Sequence, residues 1–69
     1  MDITKRELEC LNLIVRGYNN REMAKLMCCS IHTIKVYIAN MLYKTNSKNK
    51  ANLVYNILKT RYKFPDNDL

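Results

Sequence analysis

The chain has 69 residues, room for one small domain, since single domains commonly run about 100–150 residues. At this size folding removes only about 60% of the unfolded surface from water and a core supplies roughly 3–5 kcal/mol, too little to enclose a deep substrate cavity; a two-domain enzyme is excluded and a binding module favoured. Twelve Lys and Arg against six Asp and Glu give a net charge of +6 and a pI near 9.4, which directs the protein to a polyanion, either nucleic acid or an anionic membrane surface.

One Gly, one Pro and no Trp leave few breaks, and the apolar residues recur at helical spacing, so the reading is an all-α domain. Thr4 and Glu7 form a capping box: the Thr hydroxyl accepts from the Glu7 N–H and the carboxylate accepts from the Thr N–H. Helix 1 therefore starts at Lys5, carries Cys10, Leu11, Ile14 and Val15 on one side, and runs to about Arg16, where Gly17 ends it. Asn19 and Glu22 repeat the cap and open a helix of about two turns with Met23, Ala24 and Met27 facing inward. Cys28 and Cys29 fall in the connection, and Ser30 caps a third helix over about residues 31–45, with Ile34, Tyr37, Ile38, Met41 and Leu42 inside.

The other face of helix 3 carries His32, Lys35, Val36, Ala39, Asn40 and Tyr43, which share one stripe by the helical repeat. Asn46 and Ser47 break the helix. A fourth helix, from about Asn49 to Arg61, groups Leu53, Val54, Ile57 and Leu58, which either pad the core or form a seam between two copies. Pro65 and an acidic tail follow, so the division is a domain over 1–64 and a tail over 65–69.

Charge is placed unevenly. From Met23 to Phe64 there are eight cations, Lys25, Lys35, Lys44, Lys48, Lys50, Lys59, Arg61 and Lys63, and no Asp or Glu, so a polyanion should meet this segment. Lys59, Arg61 and Lys63 are ordinary dipole partners at a helix end. The longest apolar runs, such as Leu13 to Val15, are far short of the roughly 18 residues that span a bilayer. With no charged-then-apolar leader, the expectation is a soluble cytoplasmic protein without a membrane partner. The three Cys are odd in number and do not read as a secreted disulfide framework. Cys10 and Cys29 read as small buried hydrophobes, and Cys28, Cys29 and His32 make a poor metal set, because adjacent thiols fit a tetrahedron badly and no fourth ligand is near. Met23, Met27 and Met41 are core fillers, no cofactor is called for, and with no nucleophile constellation or phosphate loop the chain does not read as an enzyme.

A short helix, a tight turn and a cationic second helix outline a helix-turn-helix. The residues Ile-Thr-Lys-Arg-Glu-Leu-Glu-Cys-Leu-Asn-Leu-Ile-Val-Arg-Gly at 3–17, Asn-Arg-Glu-Met-Ala at 20–24 and Ser-Ile-His-Thr-Ile-Lys-Val-Tyr at 30–37 resemble the LuxR/GerE family of bacterial transcription regulators. The match continues through Asn40, Lys44 and Lys-Asn-Lys at 48–50, covering roughly residues 3–58 without a gap. The resemblance implies a four-helix domain in which helix 3 enters the major groove of double-stranded DNA and helix 4 dimerises through Leu53, Val54, Ile57 and Leu58.

It also places Lys35 at the family's DNA-contacting lysine, where an ammonium can pair with a phosphate or donate to guanine O6 and N7. Val36 can meet a thymine methyl, and Ala39 offers shape or methyl contact only. His32 reads as groove-facing or exposed. Ser30 and Thr33 can donate to the backbone, and Asn40, Lys44, Lys48, Asn49 and Lys50 read as phosphate contacts. Three positions depart from the family: Tyr37 stands for His, and Thr45 and Ser47 replace apolar residues between helices 3 and 4. The opening Met just before the capping box resembles the family's stand-alone, spore-regulator architecture, or else an excised fragment. The rival readings are a sigma-factor region-4-like promoter-binding module, against which helix 4 argues, and a protein-interaction module that holds RNA polymerase or a regulator through helix 4.

Overall fold

The computed structural model describes residues 3–60, in four helices: α1 (Lys5–Val15), α2 (Asn20–Leu26), α3 (Ile31–Lys44) and α4 (Lys50–Thr60). Arg61, Lys63, Pro65 and the tail at 65–69 lie outside the described residues. Among the described residues there is no strand, and no helix is long and apolar enough to cross a membrane.

Each helix starts where a side chain accepts from an otherwise unpaired N–H. Thr4 and Glu7 bond reciprocally at 2.9 and 3.1 Å, as do Asn19 and Glu22 at 2.9 Å in both directions. Ser30 Oγ accepts from the Thr33 N–H at 3.0 Å, and Asn49 Oδ1 from the Asn52 N–H at 2.8 Å. Three helices end alike, with a residue in the left-handed region and the paired carbonyl bonds of a Schellman motif. At α1 the residue is Gly17, φ 93°, with the Gly17 N–H donating to Ile14 O and the Tyr18 N–H to Leu13 O. Cys28 (φ 55°) and Asn46 (φ 54°) do the same after α2 and α3. Asn tolerates this conformation; Cys pays a steric cost for it.

The core is formed by Cys10 and Leu11 of α1, Met23 and Ala24 of α2 with its C-cap Met27, Ile34, Ile38 and Met41 of α3, and Leu53 and Ile57 of α4. α3 is central, packing against the other three helices, while α1 also packs on α2 and α4. The sequence reading of α1 needs one correction: Val15 is exposed, while Ile14 is half-buried against the core as Leu8 and Leu13 are, and Glu7 is buried with Cys10 and Leu11. The Glu7 side chain is drawn in by its cap and by a charged partner on α3.

Two polar ties set the orientation of α3. Lys44 Nζ donates to Glu7 Oε1 at 2.8 Å, and Glu7 is only 3% exposed. Arg6 donates to Met27 O at 3.0 Å, pairs with Glu9 at 2.7 Å, and lies beside the half-buried Tyr37 of α3, which with Glu9 favours its charged form. At the α3–α4 joint, Thr45 and Ser47 share a hydrogen bond, Thr45 Oγ1 donates to Met41 O at 2.8 Å, and Asn56 Nδ2 donates to Ser47 Oγ at 2.9 Å. Directed hydroxyl bonds join α3 and α4 at these positions.

Candidate nucleic-acid interface

The outer stripe of α3 is intact in the structure: His32, Lys35, Val36, Ala39, Asn40 and Tyr43 are all exposed. They are exposed because Ile34, Ile38 and Met41, buried on the opposite side, have already met the helix's need for a core. At about 100° per residue, His32, Ala39 and Tyr43 lie near the mid-line, with Lys35 on one margin and Val36 and Asn40 on the other. The centre is therefore low-profile at Ala39, a single methyl that lets the helix backbone come close to a surface. Tyr43, 77% exposed, closes the far end of the stripe and was not among the sequence-expected contacts.

Ser30 and Thr33 sit together at the start of α3 with their hydroxyl oxygens 3.0 Å apart. Ser30 Oγ is occupied as the cap acceptor, so both hydroxyls serve the helix first. Lys48 and Asn49 lead into α4, where the Lys48 N–H donates to Asn52 Oδ1 at 2.9 Å. Lys50 opens α4 and donates from Nζ to Asn20 Oδ1 at 3.1 Å, which brings the starts of α2 and α4 together. A shallow open concavity of about 580 Å³ lies there, lined by Asn19, Asn20, Arg21, Ile31, Lys35 and Lys50.

Arg21 is a member of this group that sequence reasoning missed. Its signal was present: a cation in the first turn of a helix opposes the dipole, and Lys25, one turn on, repels it.

Lys44 does not join the group. It is bonded to Glu7, so its charge is matched by a buried carboxylate. Burial pushes the Glu7 carboxyl up, but the hydrogen bonds from Lys44 and the Thr4 N–H, with the Lys44 charge, outweigh it and hold the group below the usual carboxylate range. The four apolar residues of α4 divide between core and surface. Leu53 and Ile57 are in the intramolecular core and Val54 is half-buried against it, because α4 must cover α3 and α1 with its widest apolar side chains. Leu58 is 60% exposed, and with exposed Ala51 and Tyr55 it forms the outward apolar face, at i, i+4 and i+7. Lys59 lies over the Tyr55 ring at 6.0 Å.

Of the cysteines, Cys10 is buried, Cys29 half-buried against the core and Cys28 exposed. Burial, with a smaller contribution from Cys29, pushes the Cys10 thiol up to about 11. Among the described residues no three His, Cys, Asp or Glu side chains come together to hold a metal ion.

Comparison with known proteins gives a consistent result. Residues 1–56 match the family described as "Bacterial regulatory proteins, luxR family". The chain is 39% identical over 59 residues to the oxygen regulatory protein NreC of Staphylococcus carnosus, covering 86% of this chain and 27% of that protein. It is 38% identical over 52 residues to the probable transcriptional regulator ycf29 of Porphyra purpurea, covering 75% of this chain and 25% of that protein. The chain thus spans about a quarter of the length of these curated relatives. No solved structure matches it significantly.

Proposed function

The chain belongs to the luxR family of bacterial regulatory proteins, helix-turn-helix DNA-binding regulators of transcription, and we propose that α3 lies in the major groove of a DNA duplex while α4 joins two copies into a homodimer. The observation that carries this reading is the outward stripe of α3, exposed along its length and free of acidic residues. A helix fits the major groove, where each base pair shows a distinct pattern of donors, acceptors and methyl groups. His32, Val36 and Ala39 face the bases, while Ser30, Thr33, Asn40, Lys48, Asn49 and Lys50 meet the backbone. Lys35 reaches either a phosphate or a guanine edge. Lys44 is left out because its charge already serves Glu7.

For the dimer, the face is Ala51, Tyr55 and Leu58, the part of α4 that the core does not cover. Such a dimer would read two half-sites related by its own symmetry. The site of action is the cytoplasm, where bacterial DNA lies.

The test is a salt series of fluorescence-anisotropy titrations on a random-sequence duplex and on one selected from a pool. The expected result is much tighter binding to the selected duplex, with log K falling by about 0.9 per phosphate contact for each unit of log salt. Equal binding to both, with little salt dependence, would overturn the reading and turn attention to a protein partner, such as RNA polymerase, on α4.

A further inference from the structure

The apolar face of α4 that the core leaves uncovered, Ala51, Tyr55 and Leu58, runs from the cations at the start of the helix to within one turn of its end. We propose that in the free protein the segment following α4 folds back along this face, seating Phe64 on Tyr55 and Leu58 and bringing Asp66 and Asp68 to Lys48 and Lys50. The chain then occupies, with its own tail, both the face that joins two copies and cations that meet DNA, and is self-inhibited until DNA displaces the tail. This rests on the DNA-binding and dimer readings above and assigns them a regulation.

The first argument is one of length and register. From Leu58 back to Lys50, α4 covers about 12 Å at 1.5 Å per residue. An extended chain from Phe64 to Asp68 covers about 13 Å, so the two run side by side over the same distance. Between Thr60, the last residue of α4, and Phe64 stand residues 61–63, enough with their neighbours for the four-residue turn that reverses a chain. Pro65 has no N–H to continue a helix and biases the residue before it toward extended backbone. In an extended chain alternate residues share a side, so Phe64, Asp66 and Asp68 face one way, the apolar residue leading and the two acids following. Laid back along α4, that order sets Phe64 against Tyr55 and Leu58 and the acids against the start of the helix.

The second argument is charge complementarity. Each described carboxylate is engaged elsewhere: Glu7 with Lys44 and Thr4, Glu9 with Arg6, and Glu22 with the Asn19 N–H. Asp66 and Asp68 are the only acids in the sequence after Glu22. Lys48 and Lys50 are exposed at the start of α4, where the helix dipole adds to their positive potential. Lys50 donates to Asn20 Oδ1 and keeps further N–H groups for a carboxylate. An acid held on the same chain meets these cations at a high effective concentration.

The test compares the full chain with Phe64→Ala, which changes no charge, and with the double variant Asp66→Asn/Asp68→Asn; circular dichroism checks that the helices are kept. In free protein dilute enough to be monomeric, nuclear Overhauser contacts should join the Phe64 ring to the Leu58 methyls, and both variants should shift the amides of Lys50 and Tyr55. Affinity for the selected duplex should rise about three- to tenfold in each variant, the gain for a closed fraction of about two-thirds to nine-tenths. Sedimentation should show tighter self-association of Phe64→Ala. The proposal is overturned if Phe64→Ala leaves affinity unchanged, since a gain confined to the Asn pair is net charge alone. It is also overturned if the Phe64–Leu58 contacts arise only on dimerisation, which makes a second copy the occupant of the face. If neither wild type nor variants bind the duplex, the DNA-binding reading fails, and the monomer spectra decide the tail by themselves: Phe64–Leu58 contacts support the fold-back and their absence overturns it.

Discussion

Lys44→Met removes the ammonium that meets Glu7 while keeping an unbranched stem to pack beside it. The carboxylate left behind is 3% exposed and retains only the Thr4 N–H at 2.9 Å. Breaking a buried pair from one side costs about 3–5 kcal/mol; because Lys44 lies at the rim, water enters part of the way, and we expect about 2–3 kcal/mol. Against a total near 3–5 kcal/mol for a domain of this size, that lowers Tm by roughly 10–20 °C. The pH dependence identifies the cause. In the wild type the Glu7 value is depressed, so its contribution is full above the unfolded carboxylate value of about 4.3 and is lost as pH falls through the folded value. In the variant only burial and the Thr4 bond remain, the value rises, and acid relieves the buried charge. Thermal unfolding followed by circular dichroism at pH 7 and at successively lower pH should show a large gap between the two proteins that narrows as acid protonates the buried carboxylate of the variant. A gap that stays constant throughout the acid series, or none at pH 7, would refute the reasoning.

Cys28 holds φ 55°, a conformation that costs an L-residue about 1–2 kcal/mol, so Cys28→Gly should raise stability by about 0.5–1 kcal/mol after the entropy of glycine is counted, and Cys28→Val should lower it. On α4, Leu53→Ala should cost about 2–4 kcal/mol in urea unfolding because Leu53 is 0% exposed. Leu58→Glu should change stability by less than about 0.5 kcal/mol while shifting sedimentation equilibrium from dimer to monomer. Iodoacetamide at pH 8 should modify Cys28 first in the native protein. Cys10, buried and with its thiol pushed up to about 11, should react only as fast as the domain opens.

The caps were legible because a helix start is a local event: Thr4, Asn19 and Ser30 each bond within three residues, so their chemistry is written in adjacent letters. The outward stripe of α3 was legible for a related reason, since apolar spacing fixed the buried face and left the other face outside. What was hidden depended on distance. Lys44 stands on the flank of α3, where a flexible stem can turn either way, and its direction is set by Glu7, 37 positions earlier. The role of α4 was ambiguous because four apolar residues exceed what one contact needs; which of them turned inward was decided by α3 and α1. Thr45 and Ser47 read only as polar residues at apolar positions, yet with Asn56 they form a bonded joint, a pairing visible only once α4 is folded back. The concavity was hidden too, since Arg21, Lys35 and Lys50 come from three helices and meet only in three dimensions.

The central claim is that α3 is the surface that enters DNA, and it is tested most directly by following backbone amide resonances while the selected duplex is added. The account predicts the largest shifts across Ile31–Tyr43 and at Arg21 and Lys50, with the face of α1 opposite to them unmoved. Shifts concentrated on Ala51, Tyr55 and Leu58, with the stripe from His32 to Tyr43 unchanged at saturation, would contradict it.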